Sequence, residues 1–332
     1  VRTLVVNAGS SSLKLRRLDG EAEAGGEDLP GGEPDREALR AAIDRLGEVD
    51  VVAHRIVHGG ERFREAVWID ETVRAALGDL VDLAPLHQPK SLAALDAVAD
   101  VLPDVRAAAC FDTAFHATLA PEATTYALPR ALRERYGLRR YGFHGLSHAY
   151  ASRRATELGA GRRIVTCHLG AGASLAAVRD GRSIDTTMGF TPLEGLVMAT
   201  RSGSVDPGML LWLLEREELS PRELSDALEH DSGIYGLSGT KDMRELLARS
   251  DDEARLAVGV YVHRLRAGIG AMAAALGGVD ALVFTGGVGE NAAPIRTAAA
   301  EGFVAPQHVL VIEAREDLEM VRQLLDLAGG RG

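Results

Sequence analysis

Apolar and polar positions along the chain follow two alternating rhythms. Short β-branched runs, Thr3-Leu4-Val5-Val6, Ile164-Val165-Thr166-Cys167-His168-Leu169 and Ala281-Leu282-Val283-Phe284-Thr285, each read as a buried strand. They stop at tight turns: Asn7-Ala8-Gly9-Ser10-Ser11-Ser12, Gly170-Ala171-Gly172-Ala173-Ser174 and Gly286-Gly287-Val288-Gly289-Glu290-Asn291. Between them, apolar residues recur at helical spacing. Leu39, Ile43 and Leu46 predict a helix over 36–46, and the same pattern predicts helices over 91–101 and 146–158. The stretch 256–276 is Ala-rich and apolar on several faces, which predicts a buried helix. Residues 19–35 are acidic and rich in Gly and Pro and read as an exposed loop or irregular hairpin. Strands alternate with helices, so the fold class is α/β.

Composition narrows this picture. A length of 332 residues suggests two domains, at roughly 100–200 residues each. A hydrophobic content of 46% is enough for two cores. The net charge of −11 argues against nucleic acid as a partner, so any anionic ligand must meet positive charge that is concentrated locally. Cys110 and Cys167 end or follow apolar runs and read as buried, reduced thiols, without disulfide or zinc spacing. No charged-then-apolar leader opens the chain and no run of about 18 apolar residues occurs, so the expectation is a cytoplasmic protein with no membrane partner.

The turns carry the candidate chemistry. In the first, glycine permits close backbone approach to an anion, Asn7 and Ser12 offer polar side chains, and Lys14 adds a point charge. The spacing is not that of a P-loop. The second turn, from His168 through Gly170 and Gly172, can cradle a phosphate in the same way. The third has almost no side chains before Glu290 and suits a flat group lying against backbone. Taken alone, each is also compatible with an ordinary turn. Arg55, in Ala53-His54-Arg55-Ile56-Val57-His58, is either paired structurally or aimed at a ligand. Arg201, in Thr200-Arg201-Ser202-Gly203, and His144, in Gly142-Phe143-His144-Gly145, admit the same two readings. His148, four residues on, reads as solvated or structural rather than as a metal ligand.

Together these segments resemble the acetate kinase family. The resemblance rests on VVNAGSSSLKL (5–15), HRIVHGGERF (54–63), CFDTAFH (110–116), YGFHGLSH (141–148), DTTMGFTPLEGL (185–196), TRSGSVDPG (200–208) and FTGGVGEN (284–291), in that order over nearly the whole chain. It implies the actin-like ATPase fold shared by acetate and sugar kinases, with two related domains and an interdomain cleft. It places an N-terminal ATPase-like domain at 1–113 plus 318–332 and a C-terminal nucleotide-binding domain at 114–317. It also implies reversible phosphoryl transfer from ATP to acetate or propionate, giving acyl phosphate and ADP, by a homodimer that uses Mg2+ or Mn2+.

Carried over residue by residue, the resemblance makes Arg55, Asp112, His144, Arg201 and His87 catalytic. Asn7, Ser12, Lys14, His168, Gly170 and Gly172 bind phosphate. Asp242, Met243, Arg244, Gly287, Val288 and Asn291 bind nucleotide. Val57, Leu86, Phe143 and Pro192 form the acyl pocket, and Asn7 and Glu316 stand on the metal side. The chemistry is consistent with this set. A carboxylate is already ionised near neutrality, so it needs positioning and positive charge rather than a base.

The chain also departs from the family pattern. Ala171 replaces an expected Asn, Gln88-Pro89-Lys90-Ser91 replaces Asn-Pro-Ala-Asn, Ser204 replaces an Asp, and Arg315 stands where a small polar residue is usual. These departures keep two alternatives open: a kinase or phosphohydrolase of the same fold with another acceptor, and a non-catalytic nucleotide-binding paralogue.

Overall fold

The computed structural model describes residues 1–9, 12–32, 34–85 and 88–330. The chain divides into two compact units. The first comprises Val1–Ala117, Gly145–Tyr150 and the segment from Arg315 onward, and the second comprises Thr118–His144 and Ala151–Ala314.

The first unit holds six strands: β1 (Arg2–Ala8), β2 (Ser12–Asp19), β3 (Ala22–Pro30), β4 (Val51–Ile56), β5 (Val67–Trp68) and β6 (Arg106–Phe111). Their order is β3-β2-β1-β4-β6-β5. β1, β4 and β6 run parallel, whereas β2 and β3 form an antiparallel meander. The second unit holds β7 (Arg163–Leu169), β8 (Ala173–Arg179), β9 (Arg182–Thr186), β10 (Ala281–Thr285) and β11 (Val309–Val311), in the order β11-β10-β7-β8-β9. β10 is parallel to β7 and β11, and β8 and β9 are antiparallel. Apart from β5, the units repeat one plan: a central first strand, a meander on one side and two parallel strands on the other. That repetition is the duplicated architecture of the actin-like ATPase fold.

β1 shows why the central strands read as continuous apolar runs. Leu4 and Val6 enter one core, with Leu39, Ile43 and Leu46 of the helix Arg36–Leu46 and Ala94, Ala97 and Val98 of the helix Gln88–Val101. Val5 enters the opposite core, with Met320, Val321 and Leu324 of the helix Glu316–Ala328. A strand with helices on both faces has no wet side and loses its polar alternation. Each such side chain stabilises the unit by about 1.5–3 kcal/mol. The helix Arg36–Leu46 starts where Asp35 accepts from the Glu37 and Ala38 amides and stops at Gly47 (φ +86°).

Three local expectations are refined. Residues 19–35 contain β3, so the exposed segment is a hairpin with β2, with its register shifted between Arg17 and Leu18. The predicted buried helix spans Asp252–Leu276 but is buried along one stripe only: Ala254, Ala257, Tyr261, Leu265, Ile269, Met272 and Leu276. Alanine satisfies a wet face as well as a dry one, so the composition concealed this polarity. The third glycine-rich turn is a short helix, Gly286–Asn291. Gly286 enters it at φ +79°, and Glu290 Oε1 accepts from the Gly286 amide at 2.9 Å, which closes the turn. Both cysteines are buried and free, as expected.

Candidate active site

In open sheets of this kind, ligands gather beyond the carboxyl ends of the parallel strands. In the first unit those ends carry Asn7 on β1, Arg55 on β4 and Asp112 immediately after β6. Backbone pairing extends past β6, with the Asp112 amide donating to Ile56 O at 3.1 Å. Arg55 Nε lies 3.1 Å from both Asp112 oxygens, Nη2 lies 2.5 Å from Oδ2, and Nη1 donates to Asn7 Oδ1 at 3.0 Å. Glu316 Oε2 stands 3.9 Å from Nε. The Arg55 side chain is 17% exposed and that of Asp112 1%. Burial disfavours the charged guanidinium, but Asp112 and Glu316 outweigh it and raise the Arg55 pKa above the ordinary arginine range. Arg55 is therefore structurally paired, one of the two roles its sequence setting allowed, and its side chain is not fully enclosed.

Backbone packing holds this group from behind. The Gly145 amide donates to Asp112 O at 2.8 Å, and a Cβ on Gly145 would sit 2.2 Å from that oxygen. Only glycine fits there. Lys14 is exposed on β2, directly across from Asn7 in the ladder. Ser12 O accepts from the Gly9 amide at 2.8 Å and closes the first turn. Val57 is buried. Gln88 is also buried, and it exchanges hydrogen bonds with the His58 backbone at 3.3 and 3.2 Å. Leu86 and His87 lie outside the described residues.

The second unit assembles its own group at the equivalent hairpin, β7 to β8. His144 has left-handed backbone (φ +57°), an uncommon state for a non-glycine residue and one that clusters at functional sites. Its ring lies against His168 of β7, with centroids 4.4 Å apart, and its Nδ1 is 2.9 Å from Ser174 Oγ of β8. Gly172 lies beneath. A Cβ there would be 3.2 Å from His144 Cε1 and Nε2 and 3.6 Å from Arg201 Nη1. The missing side chain lets the imidazole edge and the guanidinium close over this glycine, where a Cβ would be crowded. Gly170 closes the turn by donating to Gly172 O at 2.9 Å. Arg201 Nε pairs with Glu229 at 3.1 Å, and Nη1 reaches Pro192 O at 3.5 Å. Phe143 is buried beside this group in sequence.

The residues expected on the nucleotide side also lie in the second unit. Gly287, Val288 and Asn291 belong to the short helix after β10, and a Cβ on Gly287 would meet nothing within 4 Å. Asn291 Nδ2 donates to Gly287 O at 2.9 Å. Asp242 caps the helix Met243–Ala248 through the Arg244 amide, Met243 is buried, and Arg244 is exposed.

Sequence reasoning did not single out Ser174 or Glu229. Ser174 lay inside a quoted turn without a distinguishing feature. Glu229 is 28 positions beyond Arg201 on a charged helix, and nothing in its spacing marks it. His148 and His116 are both buried, with rings 5.7 Å apart edge to face, which agrees with the structural reading of His148. Among the described residues, no cluster of three or more His, Cys, Asp or Glu is arranged to hold a metal. No described helix is long and apolar enough to cross a membrane.

Comparison with known proteins identifies the family. The family model of the Acetokinase family matches residues 36–315. An acetate kinase of Nostoc punctiforme is 55% identical over 269 residues, which cover 79% of this chain. The match spans 66% of that relative, just short of two thirds of its length. The crystal structure of Porphyromonas gingivalis acetate kinase superposes with a TM-score of 0.89 at 33% identity, covering 98% of this chain and 99% of that one. A propionate kinase from Francisella tularensis superposes with a TM-score of 0.89 at 31% identity, covering 97% and 98%. With a family model matching residues 36–315 and a relative 55% identical over 79% of its length, this chain belongs to the acetokinase family.

Proposed function

We propose that the protein is a short-chain carboxylate kinase, transferring the γ-phosphoryl group of ATP reversibly to acetate or propionate. The observation that carries this reading is the convergence of the His144 ring edge and the Arg201 guanidinium over Gly172, which puts polar and positive groups where charge on a transferring phosphoryl group would develop. The Arg55 fork suits a carboxylate, which it can meet with two parallel N–H donors. A carboxylate oxygen attacks the γ-phosphorus in line, the bond to the ADP oxygen breaks, and no proton moves. His144, Arg201 and backbone amides of the 168–174 turn offset the charge on the transferring group. Val57, Leu86, Phe143 and Pro192 exclude water from the acyl chain, and His87 joins the phosphoryl donors. Ser12 and Lys14 serve the phosphates. Asp242, Met243, Arg244, Gly287, Val288 and Asn291 serve the nucleoside, Met243 through its backbone.

Asn7, Asp112 and Glu316 carry hard oxygens of the type Mg2+ (or Mn2+) takes alongside phosphates and water, and these would hold it, although all three face the Arg55 guanidinium here. Bound there, the ion would neutralise phosphate charge. We read the first unit as the ATPase-like domain and the second as the nucleotide-binding domain, working in the cytoplasm as a homodimer. The helix Pro207–Glu215 supports self-association: it buries none of its residues, and Leu211 and Trp212 are 58% and 51% exposed.

The test is incubation with Mg-ATP and acetate, propionate or butyrate, trapping acyl phosphate with hydroxylamine. Trapped product with a two- or three-carbon acid supports the reading and names the acid. ATP binding without product from any acid would move the chain to another acceptor or out of catalysis.

A further inference from the structure

Arg201 does not project alone over Gly172. Its Nε is held by Glu229 at 3.1 Å, and the Glu229 side chain is only 14% exposed. The pairing is built in from both sides of the arginine. Thr200 Oγ1 donates to Glu229 O at 2.9 Å, the Ser202 amide to Leu228 O at 3.0 Å, and the Ser232 amide to Thr200 O at 2.9 Å. Within the loop, the Met198 amide donates to Arg201 O at 3.1 Å. The end of the helix Pro221–His230 is thus laced to the residues flanking Arg201, and the carboxylate follows the arginine wherever that loop sits.

We propose that Glu229 is a positioning residue for Arg201, fixing its Nε edge so that the Nη edge is presented over Gly172. This inference rests on the carboxylate-kinase reading. An arginine side chain has many rotamers, and a fork that must meet phosphoryl oxygens works only within a narrow range of angles. Anchoring one edge removes that freedom before substrate arrives. The same carboxylate places a negative charge beside an anion site, which weakens anion binding. Glu229 therefore raises turnover and lowers affinity, two effects that a merely structural residue would not move in opposite directions.

The variants are Glu229→Gln, which keeps the shape and removes the charge, and Glu229→Asp, which keeps the charge and shortens the reach. Each is made in the wild type and in Arg201→Ala. Steady-state kinetics give kcat and KM for the acid. Calorimetry with inorganic phosphate gives an anion affinity that needs no turnover. The expected result for Glu229→Gln is a kcat lower by about tenfold, as for a displaced catalytic group. KM and the phosphate Kd should each fall roughly threefold or more, as for a removed like charge. Glu229→Asp should recover part of kcat. In the Arg201→Ala background, Glu229→Gln should change kcat by no more than about twofold, since positioning acts through its partner, while the phosphate Kd should still fall. Unchanged kcat and phosphate Kd in Glu229→Gln, or an equal effect on kcat with and without Arg201, would overturn the proposal. Thermal melts separate either result from misfolding. If the wild type makes no acyl phosphate, the kinase reading fails, while the phosphate affinities still decide whether the Glu229 charge bears on an anion site over Gly172.

Discussion

Arg55 and Asp112 meet edge to edge at the carboxyl ends of two neighbouring parallel strands, with Nη2 2.5 Å from Oδ2 and Nε 3.1 Å from both oxygens. The pair fixes Arg55 while leaving the rest of its fork toward Asn7. Because the Asp112 side chain is 1% exposed, it cannot turn to water when its partner is removed.

Arg55→Ala should therefore damage both activity and stability. Turnover should fall by at least about a hundredfold, the scale of losing a transition-state donor. Unfolding free energy should fall by roughly 3–5 kcal/mol, because a buried carboxylate loses its guanidinium partner. Adding Asp112→Asn should restore much of the stability and none of the turnover. Denaturant melts and the hydroxylamine assay on the three variants check this, and near-normal turnover in Arg55→Ala would remove its assigned role.

Ser174 Oγ lies 2.9 Å from His144 Nδ1. Ser174→Ala should remove one restraint on the orientation of the ring over Gly172. We expect kcat to fall about tenfold, with the KM for either substrate within about twofold, the pattern of a lost transition-state contact. A change in KM alone would assign Ser174 to binding instead.

Ala171 is exposed at the tip of the 168–174 turn, and its carbonyl accepts from the Ala199 amide at 3.1 Å. The backbone there is already held, so a longer polar side chain should add a donor without disturbing the turn. Ala171→Asn should lower the KM for ATP by roughly two- to tenfold, the value of one net hydrogen bond. Its Tm should stay within about 2 °C of wild type, as for an exposed substitution. Unchanged KM would mean that backbone amides alone serve the phosphates.

His58 is buried, and its Nδ1 accepts from the Gly60 amide at 2.9 Å, an arrangement that requires the neutral ring. Burial pushes its pKa down to about 4. The unfolded chain takes up this proton near the ordinary value of about 6.5, before the folded chain does, so stability is full above about pH 6.5 and declines as pH falls toward about 4. The decline attributable to His58 is roughly 3 kcal/mol. His58→Asn, which keeps an acceptor for Gly60 but cannot titrate, should flatten the dependence of unfolding free energy on pH in that window. An equally steep dependence in the variant would assign the titration elsewhere; His54, also pushed down to about 4 by burial, is the next candidate.

Much of this protein could be read from its sequence because the informative features are local. Strands β1, β7 and β10 are unbroken apolar runs, since both faces of each are covered, and the turns that follow need glycine for close backbone approach. Arg55, Asp112, His144 and Arg201 sit within long contiguous segments whose order marks the family. What spacing could not supply were relationships made by folding. The sequence left Arg55 between a structural and a ligand role; register across β4 and β6 supplies the structural pairing, by setting it beside Asp112. The glycine run after β10 looked like a loop, and Glu290 turns it into a helix through a bond to Gly286. The helix Asp252–Leu276 hid its single buried stripe behind alanines that are equally at home on either face. Glu229 could not be found by any local pattern. It reaches Arg201 only because the helix that carries it is laced, across 28 residues of chain, to the loop on which the arginine stands.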